Sequence, residues 1–250
     1  MKNISSLYIG SFCLILSLLS FFNIIYSYYF NLYLNIDAYV YTLFVSLFLG
    51  LSLIFIKKKE LKISIYDKII TVILGYLLIP IIIAIPYYFS IYNITFLDCY
   101  FESISGFTST GFTIFENIKH IDESLIIWRS TSQWVGGIYF LFSIILLIDI
   151  FDSSLKKSFT EFISFNIFET IKQYLKIFII YAGLTIGIFL VLSSLNLRVF
   201  DTFNLSLSII SSGGFLPVNE LNSIFSSDFE RLVFSFTMLI SFFSLFLFYN

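Results

Sequence analysis

"FESISGFTSTGF", residues 101–112, sets five hydroxyl side chains and two glycines behind a glutamate, in a chain dominated by Ile, Leu, Phe and Tyr. In a soluble protein such a stretch marks a surface loop. Its surroundings argue against that. The 250-residue chain is 58% hydrophobic and only 12% charged, with mean hydropathy +0.95, whereas soluble domains carry roughly 25% charged residues. Lipid is the expected solvent. Six long apolar runs can be drawn, at about 4–30, 38–56, 69–90, 128–148, 176–195 and 229–249, most of them reaching the roughly 18 residues that mark a membrane-spanning helix. The first run is too long for a signal-peptide core, and no small-residue cleavage site follows it. The expectation is an all-α polytopic membrane protein with six transmembrane helices.

Charge gives an orientation. Lys2, Lys57, Lys58, Lys59, Lys62, Lys68, Lys156, Lys157, Lys172 and Lys176 fall on one side of the spans, and Lys119, Arg129, Arg198 and Arg231 on the other. Cytoplasmic loops carry the excess of Lys and Arg, so the N-terminus and both lysine-bearing connections are expected in the cytoplasm. The second connection, "LKKSFTEFISFNIFETIKQYLK", repeats apolar residues at helical spacing and is expected to lie as an amphipathic helix on the inner membrane surface. Pro80 and Pro86 fall inside the third span, where they can bend it.

An internal repeat is the main clue. At an offset of 103, Asp98 falls on Asp201, Ser103 on Ser206, Ser105 on Ser208, Ser109 on Ser212, Gly111 on Gly214 and Phe112 on Phe215. An apolar span precedes and follows each copy. The unit is membrane helix, short segment, hydroxyl- and glycine-rich turn, membrane helix. The short segments, about 98–107 and 201–210, cannot cross a bilayer as helices. Each carries an Asp near its start, where a carboxylate can cap exposed backbone N–H groups. A short helix dipping in from outside points its C-terminal carbonyls toward mid-membrane, which favours a cation there. Irregular backbone at that depth is tolerated only when buried in protein or lining a watery cavity. The hydroxyl- and glycine-rich stretches are therefore expected to be two re-entrant turns, whose carbonyls can replace an ion's water shell.

These residues resemble the Trk/Ktr/HKT superfamily of potassium transporters, the TrkH branch above all. "FESISGFTSTGF" is similar to that branch's first pore helix and filter, "WRSTSQWVGGIYFL" (128–141) to the start of the following helix, and "FNLSLSIISSGGF" (203–215) to the second pore helix and filter. The resemblance implies four helix–pore–helix repeats around one ion path. Of these the chain has an N-terminal two-helix extension (1–62), a first repeat (63–150), a cytoplasmic amphipathic connector (151–175) and a second repeat (176–250). Nothing in it corresponds to the third and fourth repeats. It also implies potassium uptake across the plasma (inner) membrane, with K⁺ as transported ion held only at the filter residues and no bound cofactor. Its implied partners are the missing repeats (in a longer chain or second polypeptide), a second copy in a homodimer, a cytoplasmic nucleotide-binding regulatory subunit and the lipid bilayer. Nucleic acid is not among them.

Residue by residue, the resemblance puts Thr108, Ser109, Thr110 and Gly111 on the first filter strand, and Ser211, Ser212, Gly213 and Gly214 on the second. Glycine at the positions of Gly111 and Gly214 is associated with potassium preference, and serine at the first with sodium. The double glycine departs from the commoner Thr-Thr-Gly pattern and leaves the register of the second strand open.

Glu102 is an ionisable residue in a membrane-entering segment. A role holding the filter backbone is favoured over ion contact, with Arg129 as its partner and Gln133 hydrogen-bonding the filter region. Trp128 and Trp134 suit either interfacial anchoring or packing around the pore helix. Gly136 and Gly137 are expected to permit close helix packing. His120, the only histidine, belongs to an outer loop. Cys13 and Cys99 are isolated and give no disulfide or metal-ligand spacing. No nucleotide-binding loop, metal-ligand cluster, Ser/His/Asp set or intramembrane aspartate pair is present, so an enzyme is not expected. The competing readings are a non-conducting fragment or assembly subunit, and a sodium or less selective cation transporter.

Overall fold

A computed structural model of the chain describes residues 4–55, 65–147 and 167–247. Eight α-helices occur among them: α1 (Ile4–Tyr29), α2 (Ile36–Phe55), α3 (Ile65–Tyr88), α4 (Phe96–Phe107), α5 (Glu123–Leu147), α6 (Ile167–Ser193), α7 (Val199–Ile210) and α8 (Asp228–Leu247). Five of these, α1, α2, α3, α5 and α6, are long and apolar enough to cross a membrane. The sixth expected span, α8, is not among the five. It opens on Asp228, Glu230 and Arg231, and the side chains of residues 242–247 lie outside those described. The lysine-rich connection 56–64 and most of the expected amphipathic connector (148–166) lie outside the described residues. Where description resumes at Ile167, the connector's last turns are the start of α6 rather than a separate helix.

The fold is organised around α5. Nineteen of its 25 residues are buried, so it is enclosed on every side, and its buried polar residues must find partners within the protein. Two glycines let neighbours approach its axis. A Cβ on Gly136 would lie 2.0 Å from the carbonyl oxygen of Phe107, at the end of α4, and one on Gly137 would lie 3.0 Å from Cβ of Ser211, just past the end of α7. The close packing expected of this pair thus serves two different short helices at once.

The prolines of α3 do not end it. Pro80 and Pro86 both sit within the helix, and donors from neighbouring helices reach the backbone beside them. Tyr100 Oη donates to the Leu77 carbonyl at 2.9 Å, and Trp128 Nε1 to the Ile83 carbonyl at 3.0 Å. Each acceptor lies three residues before a proline, where the missing N–H and the ring disturb the ladder. Side-chain donors of this kind are how membrane helices tolerate proline. Trp128 is therefore a packing residue, 1% exposed.

α1 and α2 form a tight pair, Gly10 against Gly50, and are keyed to the start of α5 by polar groups. Asn23 Nδ2 donates to the Ser124 carbonyl at 3.0 Å, Tyr39 Oη pairs with Ser124 Oγ at 3.0 Å, and Asn35 Nδ2 donates to Asp122 Oδ2 at 3.2 Å.

The repeat read from the sequence is present in the backbone. α4 and α7 are both twelve residues long, and their first and last residues are each 103 apart.

Candidate functional site: two matched turns

Both short helices end in the same turn. Thr108 (φ −87°, ψ 1°) and Ser211 (φ −84°, ψ −1°) close α4 and α7, and the next residues, Ser109 and Ser212, take positive φ of 56° and 54°. The Ser109 N–H donates to the Gly106 carbonyl at 2.9 Å and the Thr110 N–H to the Ser105 carbonyl at 2.9 Å. The matching bonds, Ser212 to Ile209 and Gly213 to Ser208, are 2.9 and 2.8 Å. This pair of bonds defines a Schellman cap, in which glycine usually takes the left-handed position. Serine there costs roughly 1–2 kcal/mol. Both repeats carry that strain at corresponding positions.

The two turns then meet. Gly111 has φ 82°, and a Cβ on it would lie 2.5 Å from Cα and 2.7 Å from N of Gly214. All eight residues expected to form the filter strands thus belong to two turns that touch at their glycines. Ser109 and Ser212 differ from the rest in that their conformation, rather than their chemistry alone, is special. Thr108 and Thr110 share a hydroxyl contact of 2.7 Å.

α5 supplies the supports from one face, at i, i+4, i+7 and i+8. Arg129 Nε pairs with Glu102 Oε1 at 2.8 Å, with the side chains 1% and 0% exposed. The Glu102 carboxylate also accepts from Thr113 Oγ1 at 3.0 Å and from the Ile114 N–H at 2.9 Å. It therefore holds the backbone that leaves the first turn, the structural placement expected for it. Arg129 Nη2 donates to Thr113 Oγ1 at 2.9 Å and Nη1 to the Leu216 carbonyl at 3.4 Å. Its guanidinium stacks over the Phe215 ring, 4.3 Å from the centroid. A buried charge needs this completeness of partners to be tolerated.

Gln133 serves the second turn. Its amide oxygen accepts from the Gly214 and Phe215 N–H groups, both at 3.0 Å, and its nitrogen donates to Ser208 Oγ at 2.9 Å, an orientation set by the neighbouring donors and acceptors. In the first repeat the corresponding serine works alone, Ser105 Oγ donating to the Phe112 carbonyl at 2.6 Å.

One expectation is corrected at the helix starts. Thr95, not Asp98, caps α4: the Asp98 N–H donates to Thr95 Oγ1 at 3.3 Å, while the Asp98 carboxylate accepts from the Thr95 hydroxyl at 2.7 Å. In the second repeat the capping position holds Arg198, with no side-chain cap, and Asp201 Oδ1 has no hydrogen-bond partner among the described residues. Arg198 turns instead to Glu123 at the start of α5. Trp134 Nε1 donates to Thr185 Oγ1 at 3.0 Å, tying α5 to α6. Sequence reading paired Phe215 with Phe112 in the repeat but did not single out Thr113 or Leu216. The usable signal was the repeat itself, since Thr113 and Leu216 are also 103 apart.

The chain is similar to proteins of known name and to a solved structure. No protein-family model matches the chain. An uncharacterized cation transporter of Methanocaldococcus jannaschii is 29% identical over 213 residues, covering 81% of this chain and 43% of that protein. The Trk system potassium uptake protein TrkH of Escherichia coli is 26% identical over 223 residues, covering 82% and 44%. The crystal structure of the potassium transporter TrkH from Vibrio parahaemolyticus superposes with a TM-score of 0.73 over 95% of this chain and 49% of that one, at 23% identity. In sequence and fold the chain resembles the TrkH branch of the Trk/Ktr/HKT superfamily. The likeness in structure shows a TrkH fold for the described helices, and the chain spans a little under half the length of these relatives. TrkH relatives are named as potassium uptake proteins, not enzymes.

Proposed function

We propose that this chain is the pore-forming subunit, or the N-terminal half of one, of a TrkH-type potassium uptake system. α4 and α7 then enter the membrane from outside as re-entrant pore helices, α8 crosses as the sixth span, and the N-terminus is cytoplasmic. The turns Thr108–Gly111 and Ser211–Gly214 present backbone carbonyls to K⁺, with Glu102, Arg129 and Gln133 holding them in place. The observation that carries this reading is the pair of turns with matching dihedral angles and hydrogen bonds, meeting at Gly111 and Gly214. Two such turns coordinate an ion from two sides only, whereas stripping potassium of its water needs ligands all round. The reading therefore includes two further repeats from the same longer chain or a second polypeptide. A homodimer partner and a cytoplasmic nucleotide-binding subunit belong to the same proposal.

The test is growth of cells lacking potassium uptake on low potassium. The 250-residue chain alone should fail, and the chain joined to or co-expressed with a second pair of repeats should restore growth. Growth with this chain alone would overturn the need for further repeats. Failure of every combination, with the proteins present in the membrane, would favour a non-conducting assembly subunit.

A further inference from the structure

The supports of the two turns are not repeated, although the turns are. At the offset of 103, Glu102 corresponds to Leu205, Arg129 to Leu232 and Gln133 to Phe236. Leu232 and Phe236 are 53% and 61% exposed, so α8 offers no counterpart of Arg129 or Gln133; it reaches the second turn through Ser241 Oγ, which accepts from Ser212 Oγ at 3.3 Å. Gln133 reaches the second turn from α5, and Arg129 holds both repeats at once. Arg129 reaches Thr113 through its hydroxyl and Leu216 through its carbonyl, the same position in each repeat, two residues after Gly111 and Gly214. Phe215 lies beneath the guanidinium and is 1% exposed, whereas its counterpart Phe112 is 69% exposed.

We infer that Arg129 is a clamp between repeats: a positioning residue that fixes the relative register of the two ion-coordinating turns and so sets ion selectivity, with Phe215 as its platform. This rests on the potassium-pore reading above. A planar guanidinium can hold Glu102, Thr113 and the Leu216 carbonyl at once because its donors are set in a rigid fork. Lysine keeps the charge but not the fork. Glu102 alone, which contacts only residues of the first repeat, does not perform this task.

The test uses the complete transporter in cells lacking potassium uptake, measuring rubidium and sodium uptake, with thermal unfolding of the purified protein in parallel. Arg129→Lys and Phe215→Leu should lower the ratio of rubidium to sodium uptake by about tenfold, the change expected when coordinating carbonyls are misplaced. Protein level in the membrane should stay near that of the parent for both. Thr185→Val, which removes a hydroxyl from the α5–α6 contact outside the turns, should leave the ratio unchanged. A parental ratio in both Arg129→Lys and Phe215→Leu would overturn the clamp. If Arg129→Lys does not accumulate, Phe215→Leu alone decides. A parent protein that takes up no rubidium would instead sink the potassium-pore reading, so the two failures are distinguishable.

Discussion

A methyl group on Gly111 would stand 2.5 Å from Cα of Gly214, and one on Gly214 would stand 3.1 Å from Cα of Gly111. The contact is unequal as well as close. Gly111 also needs a positive φ of 82°, while Gly214 is not among the residues of positive φ.

That inequality orders the glycine variants. Gly111→Ala should abolish potassium uptake by the complete transporter, since it adds both a backbone clash and left-handed strain of roughly 1–2 kcal/mol. Gly214→Ala should retain measurable uptake. Gly111→Ser in any active protein should raise sodium relative to potassium uptake. Isotope uptake with both ions checks the order, and a Gly214 variant more damaging than the Gly111 variant would contradict it.

The glycines of the long helices divide sharply. A Cβ on Gly136 would meet the Phe107 carbonyl oxygen at 2.0 Å, whereas one on Gly187 would meet nothing within 4 Å. Gly136→Ala should destabilise by about 3 kcal/mol, the upper part of the usual range for overpacking. Gly187→Ala should be neutral or stabilise by up to about 1 kcal/mol through helix propensity. Thermal unfolding in detergent measures both.

Ser109 holds a left-handed cap that glycine fills at lower cost. Ser109→Gly should raise stability by about 1 kcal/mol once the greater freedom of glycine in the unfolded chain is counted. Ser109→Val should lower it by more. Melting temperatures of the two variants should fall on opposite sides of the parent.

The proposed orientation is tested by labelling. Cys13 and Cys99 are buried at 1% and 0% exposure, so background reaction is expected to be low. Cysteines at the Glu116 and Glu220 positions should react with a membrane-impermeant reagent added outside. Reaction only from the cytoplasmic side would invert the topology.

Much of this arrangement was legible in residue order. The offset of 103 found α4 and α7 within two residues of their starts, because the hydroxyl and glycine pattern encodes both the cap and the turn. The Glu102–Arg129 pair was legible because a lone carboxylate and a lone guanidinium in apolar surroundings must find each other. The partners of Arg129 in the second repeat were not. Leu216 offers only a carbonyl and Phe215 only a ring, neither of which marks a sequence as a binding partner, and both lie more than 80 residues away. The capping role assigned to Asp98 failed because Thr95 holds the N-cap position and its hydroxyl engages the Asp98 carboxylate.

The position of Arg129 also bears on how the chain enters the membrane. A charged side chain at the centre of a membrane helix costs roughly 2.5–3.5 kcal/mol on insertion, an upper bound for Arg129 two turns into α5. Glu102 is made 27 residues earlier than Arg129, and the Leu216 carbonyl appears 87 residues later. The insertion machinery therefore has the counter-charge in hand when α5 emerges, and α4 and α5 are expected to pass into lipid together with Arg129 already paired to Glu102. α7 arrives afterwards and docks on a finished pair, adding a carbonyl and an aromatic face. Synthesis order and charge neutralisation thus run in the same direction along this chain.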